Sequence, residues 1–158
     1  MRIYLSGPIT GLSDLSIQSW RQLAELRLGG LGEIIDPAAA YYDAALAFEK
    51  TENSERAVER LRHGIYVVNR NKNLIRGSDL LFANFLGAGA KGSIGSVGEI
   101  YWANEFGKPI FIVREEIGNV HDHAMLNAMA GCISHTLDDG FAAVAEFASV
   151  MRKRAGNG

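Results

Sequence analysis

The sequence predicts an α/β fold in which a parallel sheet is covered by helices on both faces. Short apolar runs alternate with helical patterns at the spacing of βα units. One run, Asp79–Asn84, is apolar almost throughout, which is typical of a strand buried on both faces. The chain of 158 residues fits one domain over residues 1–158, with its core at about 2–150.

Five strands are expected, because five short apolar runs are bounded by Gly, Pro, Ser, Asn or Asp. In chain order they are Arg2–Leu5, Glu33–Pro37 (closed by the turn at Asp36-Pro37), Asp79–Asn84, Lys108–Val113 and Cys132–Ser134.

Helices are expected wherever apolar residues recur at a period of 3.6. In chain order they are Ser16–Leu28, one or two helices within Glu55–Ile75, Ser96–Phe106, Met125–Ala130 and Asp138–Arg154. Gly29 and Gly107 end two of them. In the last helix we expect Phe141, Val144, Phe147 and Val150 to face inward.

Composition excludes several classes of protein. A net charge of -2 lacks the basic excess of a nucleic-acid binder, although a small anionic ligand stays open. No apolar run approaches the ~20 residues of a membrane span, and the N-terminus has no secretory h-region. The one cysteine, Cys132, cannot form an internal disulfide and is expected to be an inert core thiol. These features indicate a cytoplasmic protein.

Ligands of parallel α/β sheets bind beyond the carboxyl ends of the strands. The candidate segments are therefore Ser6–Gly11, Asp36–Tyr42, Asn84–Glu99 and Glu115–Met125. Tyr41 and Tyr42 offer rings that can stack on a nucleobase or pack in the core. His121 and His123 form an H-x-H pair, but there is no third ligand nearby, so no metal is expected.

The glycine-rich segment Gly87–Glu99 has two open interpretations. Ser96 fits an N-cap, and Glu99 three residues later completes a capping box. Alternatively, Glu99 is a carboxylate in the first turn of a helix that acts as a nucleophile, with Gly95 and Gly98 leaving room for a sugar ring.

Three segments together resemble the nucleoside 2-deoxyribosyltransferase family over residues 2–135. They are Ile3–Pro8, Ile75–Asn84 and the block Gly95–Ala103 followed by Gly107–Pro109. The resemblance implies a flavodoxin-like fold that cleaves the N-glycosidic bond of 2′-deoxyribonucleosides without a cofactor. It implies that Glu99 forms a covalent deoxyribosyl intermediate, that Tyr4 orients it, and that a second nucleobase receives the sugar.

Two positions depart from the family's pattern. Asn71 stands where the transferases have an aspartate that handles the proton of the leaving base, and an amide cannot deliver a proton. Ser93 stands where they have an aspartate that contacts the sugar. A hydroxyl there resembles the related 2′-deoxynucleoside 5′-monophosphate N-hydrolases, and Lys91 favours an anion nearby.

Three functions follow from this reading. The first choice is the transferase; the alternatives are a nucleoside 5′-monophosphate hydrolase that uses the same Glu99, and a non-catalytic nucleotide-binding module. The resemblance also implies a homodimer or larger homo-oligomer, in which Asp122, His123 and Met125 complete a neighbour's site. The expected substrate-binding residues are Ser6, Gly7, Pro8, Ile9, Asp36, Asn84, Ser93, Gly95, Ser96, Asp122, His123 and Met125.

Overall fold

The computed structural model describes residues 1–9, 12–39 and 64–155. The strands are β1 Arg2–Ser6, β2 Glu33–Ile35, β3 Leu80–Asn84, β4 Ile110–Val113 and β5 Cys132–Ser134. The helices are α1 Asp14–Leu28, α2 Gly64–Arg76, α3 Ile94–Glu105, α4 Ala124–Met129 and α5 Leu137–Ala155. Predictions that involve Thr10, Gly11, Tyr41, Tyr42 or residues 55–63 lie outside the described residues.

The five strands form one parallel sheet in the order β2-β1-β3-β4-β5. This confirms the predicted fold class, including the flavodoxin-like strand order. The chain leaves β1 toward one edge and returns to β3 on the other side of β1. The carboxyl ends of β1 and β3 therefore flank the switch point at which such sheets bind ligands.

Alternation along β1 sends its side chains to different layers, because successive residues of a strand point to opposite faces. Ile3 and Leu5 pack with α1 and α5 on one face. Tyr4 and Ser6 point to the other face, where both reach the same residue of α3. A single strand thus supplies core on one side and polar groups on the other.

Helices cover both faces, as the sequence predicts. The first layer joins α1 and α5 to the sheet through Trp20, Ala24, Leu28, Phe141 and Val144. The second joins α2, α3 and α4 to the sheet through Ile75, Ile100, Ala103 and Leu126. Within the described ranges, no helix combines the length and apolarity that crossing a bilayer requires.

Some local expectations were wrong. Ser93, not Ser96, is the N-cap of α3, and its hydroxyl accepts from the Ser96 N–H. Val150 is 46% exposed rather than inward, because at about 100° per residue it lies on the face of α5 opposite Phe141, whereas Ala148 is buried. Cys132 is only partly buried, since β5 is an edge strand.

Candidate active site

The Glu99 carboxylate lies at the centre of a buried network of hydrogen bonds. Its Oε1 accepts from the Tyr4 hydroxyl and from the Asn71 Nδ2, both at 2.8 Å. Its Oε2 accepts from the Ser6 hydroxyl at 2.6 Å. Glu99 as a whole is 8% exposed. The carboxylate therefore faces three donors on β1 and α2 instead of capping its own helix, which corrects the capping-box interpretation.

Each donor is positioned by regular structure. Tyr4 and Ser6 share a face of β1 because they are two residues apart. Asn71 lies on α2, which packs beside α3. Because Ser93 caps α3 and the helix begins at Ile94, Glu99 falls in the second turn rather than the first. Because helical side chains tilt toward the N-terminus of their helix, the Glu99 side chain is directed back from this turn, and it meets Tyr4 and Ser6 of β1.

Burial and hydrogen bonding act in opposite directions on Glu99. Desolvation raises the pKa of its carboxyl, and this effect outweighs the hydrogen bonds from Ser6, Tyr4 and Asn71 and the charge of Arg21, which lower it. Desolvation together with the charge of Glu99 raises the pKa of Tyr4, so this phenol stays protonated and donates. The site thus holds a poorly solvated carboxylate among fixed donors.

Asn71 is engaged at both ends of its amide. Its Nδ2 donates to Glu99, and its Oδ1 accepts from the Arg70 Nε at 3.1 Å. Arg70 also donates to the Pro37 carbonyl at 2.9 Å, which ties α2 to the segment after β2. This arrangement orients Asn71 toward the carboxylate as a hydrogen-bond donor.

Arg21 anchors the segment after β1. Its buried guanidinium donates to the Gly7 carbonyl at 3.4 Å and to Asp36 at 3.1 Å, and it stacks 4.4 Å from the Trp20 ring centroid. A Cβ at Gly7 would lie 2.9 Å from both the Asn84 carbonyl oxygen and the Trp20 ring. Glycine therefore permits the close approach of this segment to the end of β3.

The other residues predicted after β1, β2 and β3 lie at or directly after the ends of these strands. Pro8 is buried and Ile9 is 46% exposed. Asp36 also accepts from the Ala38 N–H, and Asn84 accepts from the Leu86 N–H, which closes a turn.

At the start of α3, two serines face each other. The Ser93 and Ser96 hydroxyls are 2.9 Å apart, and Ser96 is buried. Gly95 is exposed, with no atom within 4 Å of the position a Cβ would take.

Three residues of the predicted segment after β4 contact Arg114, α4 and α3. Asp122 pairs with Arg114 at 2.7 Å and accepts from Asn127 at 2.9 Å. His123 is the N-cap of α4 and accepts from the Met125 N–H at 3.3 Å. Met125 is 53% exposed, and its Sδ lies 3.3 Å from the Tyr101 hydroxyl.

Sequence reasoning did not single out four residues that shape this end of the sheet. They are Arg21, Arg70, Arg114 and His121, which the sequence indicated only as part of the H-x-H pair. Arg21 is 4% and Arg114 6% exposed, and a buried arginine in an α/β chain is a signal of a polar anchor because it requires partners. Within the described ranges, no group of three or more His, Cys, Asp or Glu side chains is arranged to hold a metal ion.

Solved structures share this architecture. The chain is similar to the 2-deoxyribosyltransferase of the psychrotolerant bacterium Bacillus psychrosaccharolyticus, at 15% identity and TM-score 0.61, covering 88% of this chain and 89% of that one. It is similar to the CMP N-glycosidase of Clostridium botulinum, at 16% identity and TM-score 0.53, covering 93% and 99%. It is also similar to a conserved protein of Enterococcus faecalis V583, at 15% identity and TM-score 0.64, covering 92% and 97%.

No family model matches the sequence, and no curated protein is significantly similar to it. The TM-scores of 0.61 and 0.64 show a common fold, and at 15% identity they show the fold alone. The chain therefore has the fold found in a 2-deoxyribosyltransferase and a CMP N-glycosidase, as the resemblance predicted.

Proposed function

We propose that this chain cleaves the N-glycosidic bond of 2′-deoxyribonucleosides, with Glu99 as the nucleophile, and transfers the sugar to a second nucleobase. The observation that carries the proposal is the buried Glu99 carboxylate, held by Tyr4, Ser6 and Asn71 at the switch point of the sheet. The charge of Arg21 also acts on this carboxylate, but its three hydrogen-bond donors, Tyr4, Ser6 and Asn71, are neutral. They hold the carboxylate in place and leave its charge available to a carbon that becomes positive.

The hydrogen bonds distinguish the two carboxylate oxygens. Each oxygen offers about two lone-pair sites. Oε1 already accepts two hydrogen bonds, from Tyr4 and Asn71, and Oε2 accepts one, from Ser6. Oε2 therefore retains a lone pair, and we assign it as the atom that attacks C1′ of the sugar.

The reaction balances in two displacements. Glu99 Oε2 forms a bond to C1′ while the C1′–N bond breaks and its electron pair leaves with the base, which takes a proton from solvent. A nitrogen of the second base then attacks C1′, loses its proton to solvent, and releases the carboxylate. An oxocarbenium-like transition state gains from the adjacent negative charge. Asn71 orients Glu99 here through its Nδ2 donor and supplies no proton, because a neutral side-chain amide is not an acid.

The remaining predicted residues would contact the substrate in this proposal. Ser6–Ile9, Asp36 and Asn84 belong to the strand ends that would face the nucleoside, and Ser93, Gly95 and Ser96 belong to the start of α3. A neighbouring subunit would add Asp122, His123 and Met125. The partners are then a nucleoside, a free nucleobase and further copies of the chain, with no nucleic-acid polymer and no membrane.

A second candidate is a 5′-monophosphate N-glycosidase that uses the same Glu99. Ser93 and Ser96 favour it, because their adjacent hydroxyls lie at the N-terminus of α3, where the helix dipole attracts an anion. A carboxylate in place of the Ser93 hydroxyl would repel a phosphate there. In that reaction water, instead of a second base, releases the sugar from Glu99.

One set of assays decides between these functions. The chain is incubated with a 2′-deoxynucleoside and a second base, and separately with the matching 5′-monophosphate, and products are separated by chromatography. Base exchange without phosphate supports the transferase, whereas free base released only from the monophosphate supports the hydrolase. Nucleotide binding without product in either reaction, unchanged in Asn71→Asp, would overturn both and favour a binding module.

A further inference from the structure

His121 is a buried histidine that takes no part in the proposed reaction. It is 3% exposed, and its ring stacks on Phe85 with centroids 3.9 Å apart and planes 12° from parallel. Its Nε2 lies 2.8 Å from the backbone N of Ser93, the N-cap of the helix that carries Glu99. The imidazole therefore reaches the point from which α3 begins.

The contacts fix the tautomer of this ring. A backbone N–H can only donate, so Nε2 accepts from Ser93 and the proton lies on Nδ1. Nδ1 then donates to the Asn119 Oδ1 at 3.2 Å. Burial lowers the pKa of His121, against the opposing charge of Glu115, which favours the neutral ring that this bond needs.

His121 is one of three side chains from the segment after β4 that bind the backbone between β3 and α3. Glu115 accepts from the Gly87 N–H at 2.8 Å, and Asn119 donates to the Phe85 carbonyl at 3.0 Å. His121 accepts from Ser93 at the far end. The segment after β4 thus holds the glycine-rich segment at its start and at its end. Between these bonds lie Gly87 and Gly89, both with positive φ.

We propose that His121 is a positioning residue for Glu99: its neutral imidazole, clamped between Phe85 and Asn119, accepts the Ser93 N–H and thereby sets where α3 starts. The Ser93 N–H is among the first amides of the helix, which have no partner within it. Glu99 is six residues further along the same rigid helix. A shift at Ser93 is therefore carried to the carboxylate that must meet C1′.

This inference rests on the proposed function for its kinetic test, but its structural part does not. The variant pair is His121→Phe, which keeps the ring stacked on Phe85 without an acceptor, and His121→Gln, which keeps an acceptor without the ring. The matched controls are His135→Phe and His135→Gln, since His135 is exposed and bonds only the Arg114 carbonyl among the described contacts.

The kinetic arm measures kcat and KM for base release from a 2′-deoxynucleoside. Loss of alignment costs rate more than affinity, so we expect His121→Phe to lower kcat about 10-fold or more with KM within about threefold. His121→Gln should recover most of kcat. Equal losses in both His121 variants, or His121→Phe within twofold of wild type, would overturn the proposal.

The second arm needs no activity and uses NMR of the unliganded protein. We expect ¹⁵N shifts of His121 to show an unprotonated Nε2 and a protonated Nδ1. The Ser93 amide should exchange with solvent at least about tenfold faster in His121→Phe than in wild type, and at a near-wild-type rate in His121→Gln. A protonated Nε2 in wild type would refute the inference even if His121→Phe failed to fold. If wild type releases no base while these signatures hold, the proposed function fails and the anchoring of Ser93 stands.

Discussion

At the scale of single residues, the decisive feature is that Glu99 accepts hydrogen bonds from three neutral donors in a buried setting. Neutral donors orient a carboxylate without removing its charge, which an ion pair would largely do. The network also distinguishes the two oxygens, because Tyr4 and Asn71 both donate to Oε1 whereas Ser6 donates to Oε2. The same geometry would therefore serve either transfer to a base or hydrolysis.

The first prediction concerns the nucleophile. Glu99→Gln keeps the size and one acceptor oxygen but cannot form the glycosyl ester, so kcat for base release should fall at least about 10³-fold. Base release by chromatography measures it. Glu105→Gln is the matched control on the same helix, because Glu105 is exposed and meets Lys72 at 3.8 Å. Full activity of Glu99→Gln would disprove the mechanism.

The second prediction concerns pH and stability. Because the folded state raises the pKa of Glu99, folded protein binds this proton more tightly than unfolded chain. Glu99 therefore loses stabilising effect as pH rises from the ordinary glutamate value, about 4.3, through the raised value. Glu99→Gln does not titrate, so its free energy of unfolding relative to wild type should increase with pH across that window. Denaturant titrations at a series of pH values measure it, and a flat or falling difference would contradict it.

At the scale of elements, the predicted strands were placed within one or two residues of the observed ones. Their apolar runs are short and bounded by turn residues, so the signal is local. The start of α3 was misplaced because Ser93 and Ser96 both suit an N-cap. The Ser93 N–H donates a hydrogen bond to His121, 28 residues away, and this contact favours Ser93 as the N-cap. No local sequence pattern reports such a contact.

The third prediction concerns the packing of α5 on the sheet. A Cβ at Gly140 would lie 2.4 Å from the Val113 Cγ2 and 3.1 Å from the Phe82 ring. Gly140→Ala should lower the free energy of unfolding, because overpacking costs about 1–3 kcal/mol and alanine gains only about 1 kcal/mol over glycine in a helix.

Denaturant unfolding measures this change. Gly98→Ala is the matched control, since it makes the same substitution within a helix where no atom lies within 4 Å of the new methyl. It should leave the protein as stable or more stable. If the free energy of unfolding of Gly140→Ala increased as that of Gly98→Ala does, the prediction would be wrong. α5 would then shift on the sheet at no cost in stability.

At the scale of the whole molecule, the parallel order of the sheet and its two helical layers followed from the alternation of strands and helices. The site was only partly predictable. The sequence named Tyr4, Ser6, Asn71 and Glu99, but it did not show that the first three all donate to the fourth. Those contacts span 95, 93 and 28 residues, respectively, and only the completed fold brings them together.

The fourth prediction concerns assembly. Met125 and Tyr101 are 53% and 39% exposed and meet each other on α4 and α3, beside the proposed site. If a second subunit completes that site, the protein should run as a dimer or larger by light scattering. Met125→Glu should then give monomers with reduced base release and an unchanged circular dichroism spectrum, because a charge would be buried at the interface.

Met151→Glu is the control for assembly, since Met151 is 48% exposed on α5 in the opposite layer. It should assemble as wild type does. A monomeric wild type with full activity would exclude a contribution from a neighbouring subunit.

The two-sided character of β1 limits how the protein can be rebuilt. Inserting one residue ahead of Ile3 would turn the Tyr4 phenol and the Ser6 hydroxyl into the layer of α1 and α5, and would push Ile3 and Leu5 toward the carboxylate. A chimaera should therefore exchange β1 together with the helices that carry Asn71 and Glu99, and never β1 alone.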